Sequence, residues 1–363
     1  MIRGNVNMRV AHLNGIRGVG AVAVVLYHTC INSMFPFTDQ YIQIANKIFL
    51  LQGPLWVSVF FVVSGFALAY NCISNTGRIV AYRLLLGRYV RLTIPISVVY
   101  LLMICCWHAG WVMPVEARPL EWRGYLTAAP APREVVLFVL WNVYFNYSFS
   151  SILGPLWSMQ YELIGSITIL IVYIMFRRPL TRGIVFGFLG LYVYSNSLDY
   201  LYYCMMVGCL FAEIYYRKLL RDQFFLPGIL LIITIYNFSE YFEMTKNEQF
   251  FNLLLFSMGL IFFYPVKMLF ASHLFQGLGS VSYVMYLSHP IILWVLIWPL
   301  INNMNNLIDY RFYNISLFAV NLLSIILCLI LAKLLSGVDK LSIVCSRIFA
   351  VNVMKYTSRK MTM

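Results

Sequence analysis

GPLWVSVFFVVSGFALAYNC, residues 53–72, runs for twenty positions without a charge. As a helix rising 1.5 Å per residue it covers about 30 Å, the hydrocarbon thickness of a bilayer. Outward from it, apolar stretches of spanning or near-spanning length lie at 13–33, 93–113, 157–176, 183–198, 199–216, 224–239, 250–266, 280–299 and 314–335. The whole chain of 363 residues is 61% hydrophobic and 11% charged, with a mean hydropathy of +0.79. Soluble domains carry about 25% charged residues, so a single water-soluble globule is excluded. An aromatic content of 17% excludes a disordered chain. The apolar runs are continuous and long, not the short alternating segments of a porin-type barrel. The sequence predicts an all-α polytopic membrane protein with about ten transmembrane helices.

The net charge is +13. In a membrane chain this balance bears first on topology, and nucleic acid is not an expected partner. With the N-terminus inside and each stretch crossing once, twenty of the 26 basic residues fall on the inner side. Lys47, Arg118, Arg123, Arg133, Lys246 and Arg311 fall outside, where nine of the 13 acidic residues also lie. The asymmetry predicts cytoplasmic N- and C-termini. A further apolar, aromatic stretch at 135–152 would move the cluster Arg177-Arg178 outside if it crossed, so it is expected to be re-entrant. Residues 1–340 read as one membrane domain and 341–363 as a basic cytoplasmic tail. The eight cysteines form no CxxC and suggest neither a disulfide framework nor a metal site. No A-x-A cleavage site follows the first apolar run, so no cleaved signal is expected. Gly-Pro-Leu-Trp occurs at 53–56 and 154–157; Pro in the first turn of a helix accounts for both without a repeat.

Ionisable groups within membrane spans cost about 2.5–3.5 kcal/mol on insertion scales and so mark functional sites. Four stand out: Arg17 and His28 in the first stretch, Glu162 in the fourth and His289 in the ninth. Arg17 and His28 share a helical face, roughly 16 Å apart along the axis. Glu162, roughly 7 Å below the outer surface, matches the depth of His28. A carboxylate–imidazole pair would raise the basicity of the histidine, as a general base requires. Arg88 and Arg91 share a face at the cytoplasmic mouth of the third stretch, where two guanidinium groups suit phosphate oxygens. Ser282, Tyr286 and His289 share a face of the ninth, and Pro290 leaves the carbonyl of Tyr286 without its helical donor. Helix anchoring, interhelical hydrogen bonding and a substrate path all remain open for these groups.

In order along the chain, Leu13-Asn-Gly-Ile-Arg17 through Tyr27-His28, Phe60-Phe-Val-Val-Ser-Gly-Phe66, Arg88-x-x-Arg91, Leu156-Trp-Ser through Glu162, and Ser282-Tyr through His289-Pro resemble the acyltransferase-3 family. Its members are bacterial multi-pass membrane O-acyltransferases. Asn14 stands where the family usually has Asp, and no C-terminal esterase-like domain of the kind many members carry is expected here. The resemblance implies transfer of an acyl group, usually acetyl, from cytosolic acyl-CoA to a sugar hydroxyl. The acceptor would be a cell-surface or lipid-linked polysaccharide such as O-antigen, at the bacterial inner membrane. His28 and Glu162 would be catalytic, Arg17, Arg88 and Arg91 donor-binding. Trp157, Ser282, Tyr286 and His289 would lie along the acceptor path. No bound cofactor or metal is expected; acetyl-CoA (acyl-CoA) enters as donor substrate, and lipid and the glycan acceptor are the other partners. Direct transfer and an acyl-histidine intermediate both remain open. The rival from another class is a transporter or flippase for a glycan or anionic metabolite, which the basic inner face would also serve.

Overall fold

The computed structural model describes residues 10–31, 44–75, 78–118, 127–128, 130–147, 153–195, 200–219, 226–237, 244–305 and 313–361. Arg3, Arg9, Arg123, Arg221 and Arg311 of the charge map, its acidic residues Asp39, Glu121, Asp199, Glu240, Glu243 and Asp309, and the end of the 135–152 stretch lie outside these. The described residues are helical or irregular, with no strand among them. The helices are α1 (Ala11–Cys30), α2 (Gly53–Ser74), α3 (Arg78–His108), α4 (Met159–Met175), α5 (Pro179–Ser195), α6 (Tyr200–Tyr216) and α7 (Leu226–Asn237). They continue with α8 (Lys246–Phe262), α9 (Tyr264–Phe270), α10 (His273–Ile292), α11 (Trp298–Asn305), α12 (Tyr313–Leu334) and α13 (Ser336–Met361).

Among the described residues each of the ten apolar stretches overlaps a helix, that at 250–266 across the break between α8 and α9, but length and composition alone qualify only four segments to cross a membrane. These are Gly53–Ser74, Arg78–His108, Gly154–Met175 and His273–Asn303. Two bent pairs raise the number to six: α8 with α9, bent by 71°, and α12 with α13, bent by 41°. The 17-residue α5 and α6 reach about 26 Å each, short of the full hydrocarbon thickness.

Two departures from the expected boundaries bear on the polar interior. α3 begins at Arg78, well before the stretch at 93–113, so Arg88 and Arg91 lie inside a helix and not at its mouth. Of the expected tail, residues 341–361 belong to the long helix α13, which packs antiparallel along the first half of α3. Its Ser346 meets Gly87 while its Asp339 meets Arg91.

Helices approach closely where glycine removes the side chain, the usual means of bringing membrane helices together. α1 and α10 run parallel, with Gly18 against Gly279, and an added Cβ on Gly279 would strike the carbonyl of Asn14. α2 and α6 do the same at Gly65 and Gly208, whose added Cβ atoms would strike the carbonyls of Met205 and Val62. α1 and α2 are antiparallel, Gly20 facing Phe60 and Tyr27 facing Gly53. α1, α3 and α10 all begin at one end of the bundle, its lower end. Residues 132–145 form a short helical segment with a wide turn at Phe138–Asn142. Its Phe138 stacks on Tyr100 at 4.6 Å and Tyr144 bonds Thr93 at 2.9 Å. Fourteen residues reach about 21 Å, too short to cross alone.

Candidate active site

The interior face of α3 presents Arg88 and Arg91, one turn apart. Arg88 Nη2 donates to Glu162 Oε1 at 3.3 Å, and the hydroxyl of Ser64 on α2 donates to the same oxygen at 2.7 Å. Arg91 Nη1 donates to Asp339 Oδ1 at 2.6 Å, to the Asp339 carbonyl at 3.3 Å, and to the hydroxyl of Ser342. The Tyr283 ring lies 5.6 Å from the Arg91 guanidinium carbon. Arg17, from α1, reaches the same cluster and makes no hydrogen bond or ion pair among the described residues. Three guanidinium groups thus meet two carboxylates, leaving one positive charge in excess.

Arg17, Ser64, Arg88, Arg91, Glu162 and Tyr283 line a cavity of about 270 Å3, together with Phe60, Asn71, Ser158 and Tyr286, while Asp339 and Ser342 hold Arg91 from behind the lining. A second cavity of about 510 Å3 lies toward the lower end, among Val10, Asn14, Ser74, Asn75 and Gln276. Arg17, Ala67 and Asn71 belong to both linings, so the two spaces meet at Arg17. The cluster is deep. Arg78 bonds the carbonyl of Met175, which fixes the common lower end of α3 and α4. Counting from there, Arg88 lies about 15 Å and Glu162 about 20 Å up their helices. Two polar atoms beside the cavity, Arg88 Nε and the Tyr283 hydroxyl, are buried with no hydrogen-bond partner among the described residues. Buried donors are rarely left so, and an acceptor-rich ligand would satisfy both.

Above the cavity, the His28 ring stacks on that of His289, with centroids 5.3 Å apart and planes inclined by 29°. Tyr286 links the two regions: it lines the cavity, and its ring lies 6.2 Å from that of His289. Its hydroxyl pairs with that of Ser158 at 3.0 Å. Pro290 has no N–H for the Tyr286 carbonyl, and His289 Nδ1 occupies that carbonyl instead, at 2.8 Å. A carbonyl only accepts, so Nδ1 carries the proton; Nε2, buried and without a partner among the described residues, keeps its lone pair in the neutral ring.

Several expectations change. Glu162 does not pair with His28: depth counted from an assumed surface placed them together, but Arg88 and Ser64 hold the carboxylate. Arg88 and Arg91 do not form one undivided clamp, since each is anchored by a different carboxylate. Ser282, Tyr286 and His289 share a helix face yet do different things. Ser282 turns back to the Gly279 carbonyl at 2.8 Å, while the others face the cavity and His28. Trp157 packs edge-on against Tyr161 at 5.8 Å, away from the cavity lining. Ser64, Tyr283 and Asp339 were missed. Asp339 had a signal in the sequence, being one of only four acidic residues not assigned to the outer side.

Comparison with protein families matches residues 10–335 to an acyltransferase domain of the acyltransferase-3 type. Neither the comparison with curated proteins nor that with solved structures gives a match.

Proposed function

Since this chain belongs to the acyltransferase-3 family, we propose that it is an O-acyltransferase moving an acyl group, acetyl in the first instance, from cytosolic acyl-CoA to a sugar hydroxyl. The acceptor in this reading is a cell-surface or lipid-linked polysaccharide such as O-antigen. The chain would sit in a bacterial inner membrane with ten spans and both termini cytoplasmic, so that the lower end faces the cytosol.

The observation that carries the reading is Arg17. Its guanidinium makes no hydrogen bond or ion pair among the described residues and lies where the two cavities meet, with Arg88 and Arg91 beside it. A polyanionic donor cannot cross lipid, so its phosphates belong with the arginines, approached through the lower cavity. The histidine pair lies above. His28 follows Arg17 by eleven residues on α1, about 16 Å along the axis, a span for the extended arm of acyl-CoA to cover. His28 takes the proton of the acceptor hydroxyl as its oxygen attacks the thioester carbonyl. The carbon–sulfur bond breaks, the ester remains on the sugar, and the CoA thiolate leaves with the proton held by the imidazolium. Arg88 and Arg91 bind the donor, and Tyr286 lies on the route between the cavity and the histidines.

The test is the acetyl content of surface polysaccharide from cells carrying the wild-type chain, His28→Ala, Arg17→Ala or no copy, at equal membrane abundance. The reading expects acetyl esters with the wild type alone. Acetylation that persists in His28→Ala moves the base elsewhere. No difference between wild type and no copy removes acetylation of that glycan and turns attention to transport.

A further inference from the structure

Asp339 lies on α13, beyond the residues that match the family, yet its carboxylate reaches into the cluster. All three contacts from α13 to Arg91 go to a single atom, Nη1: the Asp339 carboxylate, the Asp339 carbonyl and the Ser342 hydroxyl. Nε and Nη2 are left for the cavity that Arg91 lines. Arg88 repeats the arrangement, with Nη2 on Glu162. Each arginine is therefore anchored at one nitrogen by an acidic residue from another helix.

The fit between α13 and α3 is built for this contact. Asp339, Ser342 and Ser346 succeed one another at helical spacing along one face of α13, and Ser346 nests against Gly87, one turn below Arg91. The Ser342 side chain also bonds its own Asp339 carbonyl at 2.7 Å, which holds the acceptors in register. Tyr283 faces the guanidinium from the side of α10. An arginine fixed in this way loses little side-chain freedom when it takes up a ligand.

We propose that Asp339 is a positioning residue of the donor site: through Nη1 it fixes Arg91 so that the remaining N–H groups face the acyl-CoA phosphates. This role rests on acyl-CoA being the donor. It also makes α13 part of the working site, although that helix lies outside the matched family domain.

The test is steady-state CoA release by the purified full-length chain, with acetyl-CoA varied and acceptor fixed. Asp339→Ala should raise KM for acetyl-CoA about tenfold, the worth of one charge-assisted hydrogen bond, with kcat nearly unchanged. Asp339→Asn keeps an oxygen for Nη1 and should stay within about threefold of wild type. The unfolding temperature and monodispersity of each variant in detergent control for loss of folding. If instead both Asp339 variants lower KM, Asp339 is a counter-ion that competes with the donor, and positioning is overturned. Wild-type KM in Asp339→Ala also overturns it while the acyl-CoA reading stands. A wild-type chain that releases no CoA removes that reading, and this proposal with it.

Discussion

Pro290 and His289 show how one missing N–H sets the chemistry of a side chain. Restoring a backbone donor with Pro290→Ala gives the Tyr286 carbonyl a helical partner that competes with His289 Nδ1. The expected result is lower turnover with unchanged or higher thermal stability, read from kcat and the unfolding temperature in detergent. A variant that loses both together would show that Pro290 serves packing alone. Glu162 and Arg88 give a second residue-level case. Both side chains are 15% exposed, so removing one partner strands a largely buried charge. Glu162→Ala should cost roughly 3 kcal/mol of stability. The double variant Glu162→Ala/Arg88→Ala should recover part of that loss, a coupling that a double-mutant cycle measures. Independent, additive losses would mean that the pair is not an energetic unit.

At the level of elements, glycine contacts determine which helices lie side by side. Gly65→Val places a branched side chain where the Met205 backbone already sits. The packing of α2 on α6 must open, at a cost of about 3 kcal/mol. The variant should accumulate poorly in membranes, whereas Gly187→Val, at a glycine with open space around its Cβ position, should accumulate like wild type. Equal amounts of the two would contradict the close approach. In α3 the helix outruns its apolar core. That core begins near residue 93, but the helix starts at Arg78 because nothing between the two breaks it. Polar and charged side chains that a hydropathy reading assigns to a loop are instead carried up the bundle interior, where α4, α10 and α13 face them.

For the whole molecule, the orientation expected from basic residues is open to direct measurement. An epitope inserted after Gly110, past the top of α3, should bind antibody in intact spheroplasts. One inserted after Asn75, at the lower end, should bind only after permeabilisation. The reverse pattern would turn the bundle over and put the arginine cluster out of reach of cytosolic CoA.

The membrane class, the placement of helices on the apolar stretches and the family were legible in the sequence. Each depends on composition or on short ordered motifs such as the one from Leu13 to His28, which survive without knowledge of who touches whom. Arg17 and Glu162 were legible as candidates because charge within an apolar run is visible locally, and Arg88 and Arg91 through their Arg-x-x-Arg spacing. Their partners were not. Whether Glu162 answers His28 or Arg88 depends on the relative rise of α3 and α4, which packing sets and an assumed membrane surface does not. The stacking of His28 on His289 depends on the parallel seat of α1 on α10 at Gly18 and Gly279. Asp339, 248 positions from Arg91 in the chain, becomes its neighbour only because α13 folds back along α3. Tertiary structure alone decided these pairings, because a charge in low dielectric takes the nearest complementary group in space, and sequence distance carries no information about which group that is.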